Sequence, residues 1–173
     1  MAIDESFVEF VHARSAALMR TAYLLTGDRG VAEDLVQSSL LAAFRSWSRI
    51  REPAARAAYV QTILVRQTLS WRHRRGRSDV LMPTVPEPAH TGEWSVSDER
   101  TSLWPLVLTL SERQRAVVVL AYYEDLRETD IAAVLGCSTG AVKSHRARAL
   151  RALRERLTPE ESIDSPTSQE DQR

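Results

Sequence analysis

The sequence has few of the residues that build disulfide-stabilised or membrane-spanning proteins. A single cysteine among 173 residues excludes an intramolecular disulfide and fits a reducing compartment. No apolar run approaches the roughly 18 residues that a membrane-spanning helix needs, and no basic segment followed by an apolar one opens the chain. We therefore expect a cytoplasmic protein without membrane insertion.

Motifs for catalysis or cofactor binding are missing as well. The sequence contains no Walker loop, no nucleophile elbow and no Cys/His spacing typical of a zinc site. The four histidines are scattered, and Cys137 lies in a predicted turn, so ordinary surface or structural roles explain them better than catalysis does. We expect no catalytic residue, no metal site and no cofactor. Of three interpretations of the function, an enzyme that acts on nucleic acid is the weakest, and the other two involve no catalysis.

The chain also lacks a net charge, because 23 basic side chains balance 23 acidic ones. The net charge therefore gives no information about binding partners, but the distribution of charge along the chain does. Basic residues form two blocks, Arg66 to Arg77 and Lys143 to Arg156, whereas the segment from Thr158 onward is acidic. Basic blocks within a neutral chain indicate local contacts with nucleic acid.

The second basic block belongs to a segment, Leu126 to Arg156, that predicts a helix-turn-helix. Its apolar residues recur at helical spacing and are interrupted once, by Gly136, Cys137 and Ser138. Gly136 can adopt a positive φ and end one helix, and Ser138 can cap the next. Two short helices joined by a Gly-containing turn form this motif, whose second helix reads DNA in the major groove.

The second helix of the motif is basic and carries few acids. A recognition helix places its N-terminal residues against base edges, and its arginines can contact phosphates. The alternative is a solvated basic face that pairs with acids of the same protein, but the turn favours DNA binding. The candidate contacts to double-stranded DNA are Ser138, Thr139, Lys143, Ser144, His145, Arg146 and Arg148.

Helical periodicity extends over most of the remaining chain. Pro53 suits the first position of a helix, and Ser111 with Gln114 forms a capping-box signature. The predicted helices run from about Glu5 to Leu25, from about Arg29 to Trp47, from Ala54 to about Arg74 and from about Glu112 to Tyr123. A further short helix contains Leu103, Leu106, Val107 and Leu110.

The third predicted helix mixes aromatic residues with arginines. Arginines can follow phosphates while a Tyr or Trp stacks on an unpaired base. Packing in the core explains Tyr59 and Trp71 equally well when this helix is taken alone. The candidate contacts to single-stranded nucleic acid are Tyr59, Arg66, Trp71, Arg72, Arg74 and Arg75.

The segment 76–97 is rich in proline and polar residues and has little apolar periodicity. So long an irregular segment is unusual inside a compact domain and is typical of a linker. We expect an all-α protein of two small helical domains joined by a flexible linker. The domains would be residues 1–75 and 98–157, the second with the helix-turn-helix, and residues 158–173 would form an acidic disordered tail.

Motifs in both halves resemble those of bacterial RNA polymerase sigma factors of the extracytoplasmic-function group. In the N-terminal half these are RTAYLLTGD from Arg20, AEDLVQ from Ala32 and SWR from Ser70, as in the actinobacterial branch. In the C-terminal half, the run from Leu110 to Leu150 is similar to the family's C-terminal domain. The resemblance covers nearly everything except the linker and the tail. At Arg127 many relatives carry a small capping residue, so that helix start is expected to be less well capped.

The resemblance implies a promoter-recognition subunit that binds core RNA polymerase, directs it to promoters and assists DNA melting. The C-terminal domain would bind the double-stranded minus-thirty-five element of promoter DNA. The third helix would hold the melted non-template strand of the minus-ten element, with a flipped base in the loop from Trp47 to Pro53. Asp34, Leu35 and Gln37 would contact core polymerase. An anti-sigma factor is a candidate partner, because such partners are common in the group.

A stand-alone helix-turn-helix regulator, whose N-terminal half senses a signal or dimerises, is the second interpretation. A sensor domain should show a mixture of elements that can form a pocket. This half instead predicts three helices that end in an Arg/Trp surface. The sequence therefore favours the sigma factor.

Overall fold

The structure, a computed structural model, describes residues 4–75 and 98–157. The regular structure within these ranges is entirely helical, which confirms the predicted all-α class. The proposed linker at 76–97 and the acidic tail at 158–173 lie outside the described residues. The helices are α1 (Glu5–Thr26), α2 (Arg29–Phe44), α3 (Pro53–Arg75), α4 (Asp98–Leu108), α5 (Glu112–Val118), α6 (Glu128–Leu135) and α7 (Thr139–Leu157).

The predicted helix boundaries are largely confirmed where local chemistry sets them. Gly27 ends α1 with a φ of 75°, and the Asp28 carboxylate then accepts from the Val31 N–H at 3.0 Å to begin α2. Pro53 is the first residue of α3. Both hydrogen bonds of the capping box between Ser111 and Gln114 are present at the start of α5.

Helix α2 ends at Phe44, earlier than periodicity predicts, and Trp47 instead begins a short 3-10 turn. Contacts with α1 hold the Trp47 ring in this position. Its Nε1–H donates to Ser6 Oγ at 3.0 Å, and its centroid lies 4.9 Å from that of Phe7 and 5.0 Å from that of Phe10. These partners lie far away in the sequence, so the local pattern could not reveal them.

The first three helices enclose a core of their own. Leu18 and Ala22 of α1 pack against α2 and α3, and Trp47 closes one end. Small residues at Ala32 and Ala43 let α2 approach closely, since both are fully buried. The other buried members of this core are Leu35, Val36, Val60 and Leu64.

The C-terminal helices form a second core, and the N-terminal half contributes to it. Leu25 of α1 and Val65 of α3 are buried among the residues of α5, α6 and α7. The two halves therefore pack directly against each other in a closed arrangement. Neither the predicted linker nor the helical periodicity indicated that the two halves pack against each other.

Candidate nucleic-acid interface

The predicted helix-turn-helix is present as α6 and α7. Gly136 adopts a φ of 62° and ends α6, and Ser138 Oγ accepts from the Ala141 N–H at 3.1 Å at the start of α7. Ala132 of α6 and Val142 of α7 are both buried in the core that joins the two helices. Arg127 makes no side-chain capping bond, which confirms the expectation of a poorly capped start.

Helix α7 buries one side and exposes most of the candidate DNA contacts. Val142 and Ala149 are fully buried and fix the rotation of the helix. The opposite face of α7 is therefore turned away from the core. Thr139, Lys143, Ser144 and Arg148 are exposed, as is Ser138 in the turn, whereas His145 and Arg146 are partly buried.

An acid that sequence reasoning missed lies beside this face. Glu128, the first residue of α6, places Oε1 2.5 Å from Arg146 Nη2 and Oε2 3.7 Å from Lys143 Nζ. The carboxylate thus pairs with two cations predicted to meet DNA. An acid in the first turn of a helix is ordinary capping chemistry, so the sequence alone gave no signal for this contact.

His145 lies among cations. Partial burial and the positive charges of Arg113 and Arg148 lower the pKa of His145 below its ordinary value. The neutral imidazole is therefore favoured near neutral pH in the free protein.

The candidate single-strand contacts of α3 divide into exposed and packed residues. Tyr59 is exposed, and Arg74 is exposed with Nη1 donating to Ser70 Oγ at 3.1 Å. Trp71 packs against the N-terminal core, so core packing, the alternative weighed for this residue, accounts for its position. The side chain of Arg75 lies outside the described residues.

Arg66 reaches from α3 to the C-terminal end of α6. Its Nε donates to the Val134 carbonyl and its Nη2 to the Ala133 carbonyl, both at 3.0 Å. The last carbonyls of a helix lack intrahelical donors and carry partial negative charge, so a guanidinium stabilises them. Arg66 therefore joins the two halves in this structure.

Arg72 is partly buried near the same junction. Its Nη1 donates to the Leu25 carbonyl at 2.9 Å and to the Thr26 carbonyl at 3.2 Å, at the C-terminal end of α1. Its Nε lies 3.6 Å from a carboxylate oxygen of Glu112, on α5. Burial lowers the pKa of Arg72, and Glu112 opposes that effect.

Arg115, which sequence reasoning also missed, is the most buried cation among the described residues, at 3% exposure. It donates to the carbonyls of Leu25 at 3.0 Å, Val107 at 3.3 Å and Leu110 at 3.2 Å, and also to that of Leu108. Burial and the nearby charge of Arg72 lower the pKa of Arg115 to about 10. It thereby ties the ends of α1 and α4 to α5.

Further contacts complete the junction between the halves. The rings of Tyr23 and Trp104 stack with centroids 5.7 Å apart, and Arg20 Nε donates to the Tyr123 hydroxyl at 2.8 Å. The residues around Tyr123, Val119–Tyr123, form a π-helical turn that extends α5. At Gly27, an added Cβ would lie 2.8 Å from Leu108 Cδ2, so α1 and α4 approach closely there.

The loop from Trp47 to Pro53 is supported by a residue that the sequence did not single out. Arg56 Nε donates to the Ile50 carbonyl at 3.1 Å, and its guanidinium lies 4.6 Å above the Trp47 ring. Its Nη1 donates to Ser6 Oγ at 3.1 Å. Arg56 therefore connects this loop to both α1 and α3.

The candidate polymerase contacts on α2 differ in exposure. Asp34 and Gln37 are exposed, but Leu35 is only 8% exposed and lies in the N-terminal core. Beside them, a groove of about 490 Å³ runs between α2 and α3. Its lining residues are Leu35, Ser38, Arg66, Gln67, Ser70 and Arg74.

The described residues contain no group of three or more His, Cys, Asp and Glu side chains that could hold a metal ion. No helix in the described part of the chain is long and apolar enough to cross a membrane.

Both halves match protein families in the order that the resemblance implies. Residues 10–78 match the family described as Sigma-70 region 2, and residues 101–153 match Sigma-70, region 4. The RNA polymerase sigma-E factor of Streptomyces coelicolor is 33% identical over 87% of this chain and 85% of its own length. The ECF RNA polymerase sigma factor SigL of Mycobacterium tuberculosis is 33% identical over 81% of this chain and 82% of its own length.

Two solved structures share the fold. The sigma factor RpoE of Bartonella quintana, solved with the anti-sigma factor NepR, is 27% identical with a TM-score of 0.70, over 89% of this chain and 98% of that one. CnrH, solved with the cytosolic domain of CnrY, is 22% identical with a TM-score of 0.60, over 87% of this chain and 86% of that one.

Proposed function

The chain belongs to the sigma-70 family, in its extracytoplasmic-function group, and we propose that it is an alternative sigma factor. It binds core RNA polymerase, directs it to specific promoters and assists DNA melting. The observation that carries this proposal is the presence of both sigma regions, in order, on one helical chain. A stand-alone regulator would need only the second region.

We propose that α7 binds the upstream promoter element. Its exposed N-terminal side chains, Thr139, Lys143 and Ser144, suit base edges, and Arg148 suits a phosphate. His145 and Arg146 are partly buried at the margin of the same face. Ser138 supports the helix start, because its Oγ is already bonded to the Ala141 N–H.

We propose that the α3 surface binds the melted strand only after the two halves separate. In the closed arrangement both arginines already have partners, because Arg66 donates to the end of α6 and Arg72 lies beside Glu112 of α5. Tyr59, Arg74 and Arg75 would complete the binding surface, with Trp71 supporting it from the core. Core polymerase would hold domains 1–75 and 98–157 apart, with 76–97 as the linker.

We propose that exposed side chains of α2, Asp34 and Gln37, contact core polymerase. Leu35 would fix the orientation of α2 through its packing in the core. The protein would act in the cytoplasm and without catalysis of its own. The Bartonella quintana relative was solved with an anti-sigma factor, and we propose a partner of the same class for this chain.

Run-off transcription with purified core polymerase, with and without this protein, tests the proposal on a genomic promoter library. We expect new protein-dependent start sites that share a two-part upstream motif. No transcription, together with no binding to core in a pull-down assay, would overturn the proposal and favour a stand-alone DNA-binding regulator.

A further inference from the structure

We infer that Glu128 is a specificity-determining residue that positions Arg146 for base recognition and lowers non-specific attraction to DNA. The inference rests on the proposed binding of α7 to promoter DNA. The side chain belongs to α6, not to the recognition helix, and no motif of the sequence points to it. The group recognised would be the edge of a guanine base in duplex DNA, which Arg146 contacts.

The two ion pairs of Glu128 differ in strength. The Arg146 pair is short, at 2.5 Å, and its side chains are 37% and 26% exposed. The Lys143 pair is longer, at 3.7 Å, and the lysine is 67% exposed. Exposed, long ion pairs contribute little, whereas a short charge-assisted contact restricts geometry. DNA can therefore displace Glu128 from Lys143 more readily than from Arg146.

A guanidinium that keeps its carboxylate partner is oriented in advance. Arg146 uses Nη2 towards Glu128, which leaves further N–H groups in the fixed plane of the guanidinium. Such a group can donate to the O6 and N7 acceptors of guanine, the commonest specific contact in the major groove. Pre-orientation favours the one base pair that matches this plane, so Glu128 would sharpen the preference at that position.

The same carboxylate reduces the positive charge that meets phosphates. Arg146 and Lys143 both lie within 4 Å of Glu128, so part of their charge is neutralised before DNA arrives. Non-specific binding comes almost entirely from charge neutralisation at phosphates. Removing the acid should therefore increase binding to any sequence while weakening discrimination among sequences.

The test is Glu128→Gln in the full chain, assayed as holoenzyme on promoters with each upstream base pair replaced in turn. We expect preference at one base pair to flatten by at least about fivefold, with the other positions unchanged. The salt dependence of non-specific DNA binding should become steeper by about one unit of log–log slope.

Two controls separate this role from charge and helix stability. Asp130→Asn removes another acid from the first turn of α6, and Glu155→Gln removes the acid that pairs with Arg151 further along α7. Neither should change base preference. The double substitution Glu128→Gln with Arg146→Gln should discriminate no less than Arg146→Gln alone, because Glu128 acts through Arg146.

The outcomes distinguish this inference from the proposed function. A wild-type holoenzyme that selects promoters, with unchanged base preference in Glu128→Gln, would overturn the role of Glu128 alone. A wild-type chain that neither transcribes nor selects any sequence would remove the proposed function and the inference with it. Thermal melting of each variant excludes loss of folding as the cause.

Discussion

Arg72 and Arg115 donate to the same backbone oxygen, the carbonyl of Leu25, at 2.9 and 3.0 Å. One arginine belongs to the N-terminal half and the other to the C-terminal half. Two cations can share this acceptor because the end of α1 carries partial negative charge and Glu112 lies 3.6 Å from Arg72. The end of a single helix therefore anchors the closed arrangement.

Replacing Arg115 with Met should destabilise the protein strongly. The change leaves the carbonyls of Leu25, Val107, Leu108 and Leu110 without this donor in a buried site. We expect the free energy of unfolding, measured by urea denaturation, to fall by about 2–4 kcal/mol.

The matched control for this substitution is Arg113→Met. Arg113 is exposed and donates to one carbonyl, that of Leu135, at 3.1 Å. We expect a loss of no more than about 1 kcal/mol. Equal losses from the two substitutions would contradict a special role for Arg115.

Gly27→Ala should weaken the contact between α1 and α4. The φ of 75° disfavours any Cβ, and the added methyl would meet Leu108 Cδ2 at 2.8 Å. We expect a loss of about 1–2 kcal/mol in the free energy of unfolding. Gly30 has no atom nearer than 3.5 Å to an added Cβ and lies inside α2, so Gly30→Ala should leave stability unchanged or slightly higher.

The free chain should bind single-stranded minus-ten DNA weakly, and loosening the junction should strengthen that binding. Glu112→Gln removes the ion pair with Arg72 across the two halves. We expect the affinity of the free chain, followed by fluorescence anisotropy, to rise by up to about fivefold. Glu33→Gln removes an exposed ion pair with Arg29 within α2 and should have no effect. Tight binding by the unmodified free chain would count against the closed arrangement as a barrier.

Lys143→Ala and Arg148→Ala should weaken transcription in different ways. Lys143 lies near the start of α7, where side chains meet base edges, so its loss should act mainly on promoters whose upstream base it reads. Arg148 lies further along the exposed face, where we expect it to contact a phosphate. Arg148→Ala should therefore reduce transcription by nearly the same factor at every promoter. Relative run-off yields across a promoter panel measure the difference, and identical patterns would remove the distinction.

DNA binding should strengthen as the pH falls towards the pKa of His145, which lies below its ordinary value of 6.5. Burial and nearby arginines lower the pKa of His145 in the free protein. DNA phosphates favour the protonated imidazole, so binding should raise that pKa and take up a proton. The affinity should increase by less than about tenfold per pH unit, which is the limit for one proton.

Binding measured at constant salt checks this pH dependence in His145→Gln and His12→Gln. His12 is exposed on α1, so its substitution should preserve the dependence. His145→Gln should abolish it. A slope that survives in His145→Gln would assign the proton to another group.

The sequence predicted what neighbouring residues determine. Periodicity located the helices, and the chemistry of Gly27, Gly136 and the Ser111 cap set their ends. The periodicity placed Trp47 in α2, but Trp47 lies outside that helix because its contact partners are on α1.

The contacts between the halves could not be read from the sequence. An arginine such as Arg66 suits a phosphate and the end of a helix equally well, and only the fold shows that it now contacts α6. Arg115 and Glu128 escaped notice for the same reason, since their partners are carbonyls and side chains of other helices. The site roles of the exposed residues on α2, α3 and α7 stay predictions.

The burial of Leu25 and Val65 in the C-terminal core stabilises the closed arrangement, and this stabilisation opposes activity. If promoter binding requires separated halves, the apparent affinity falls in proportion to the fraction of molecules that are open. A substitution that packs these two positions more tightly would raise the melting temperature and shrink that fraction. Selection for thermal stability alone would therefore enrich variants that resist heat and initiate transcription poorly.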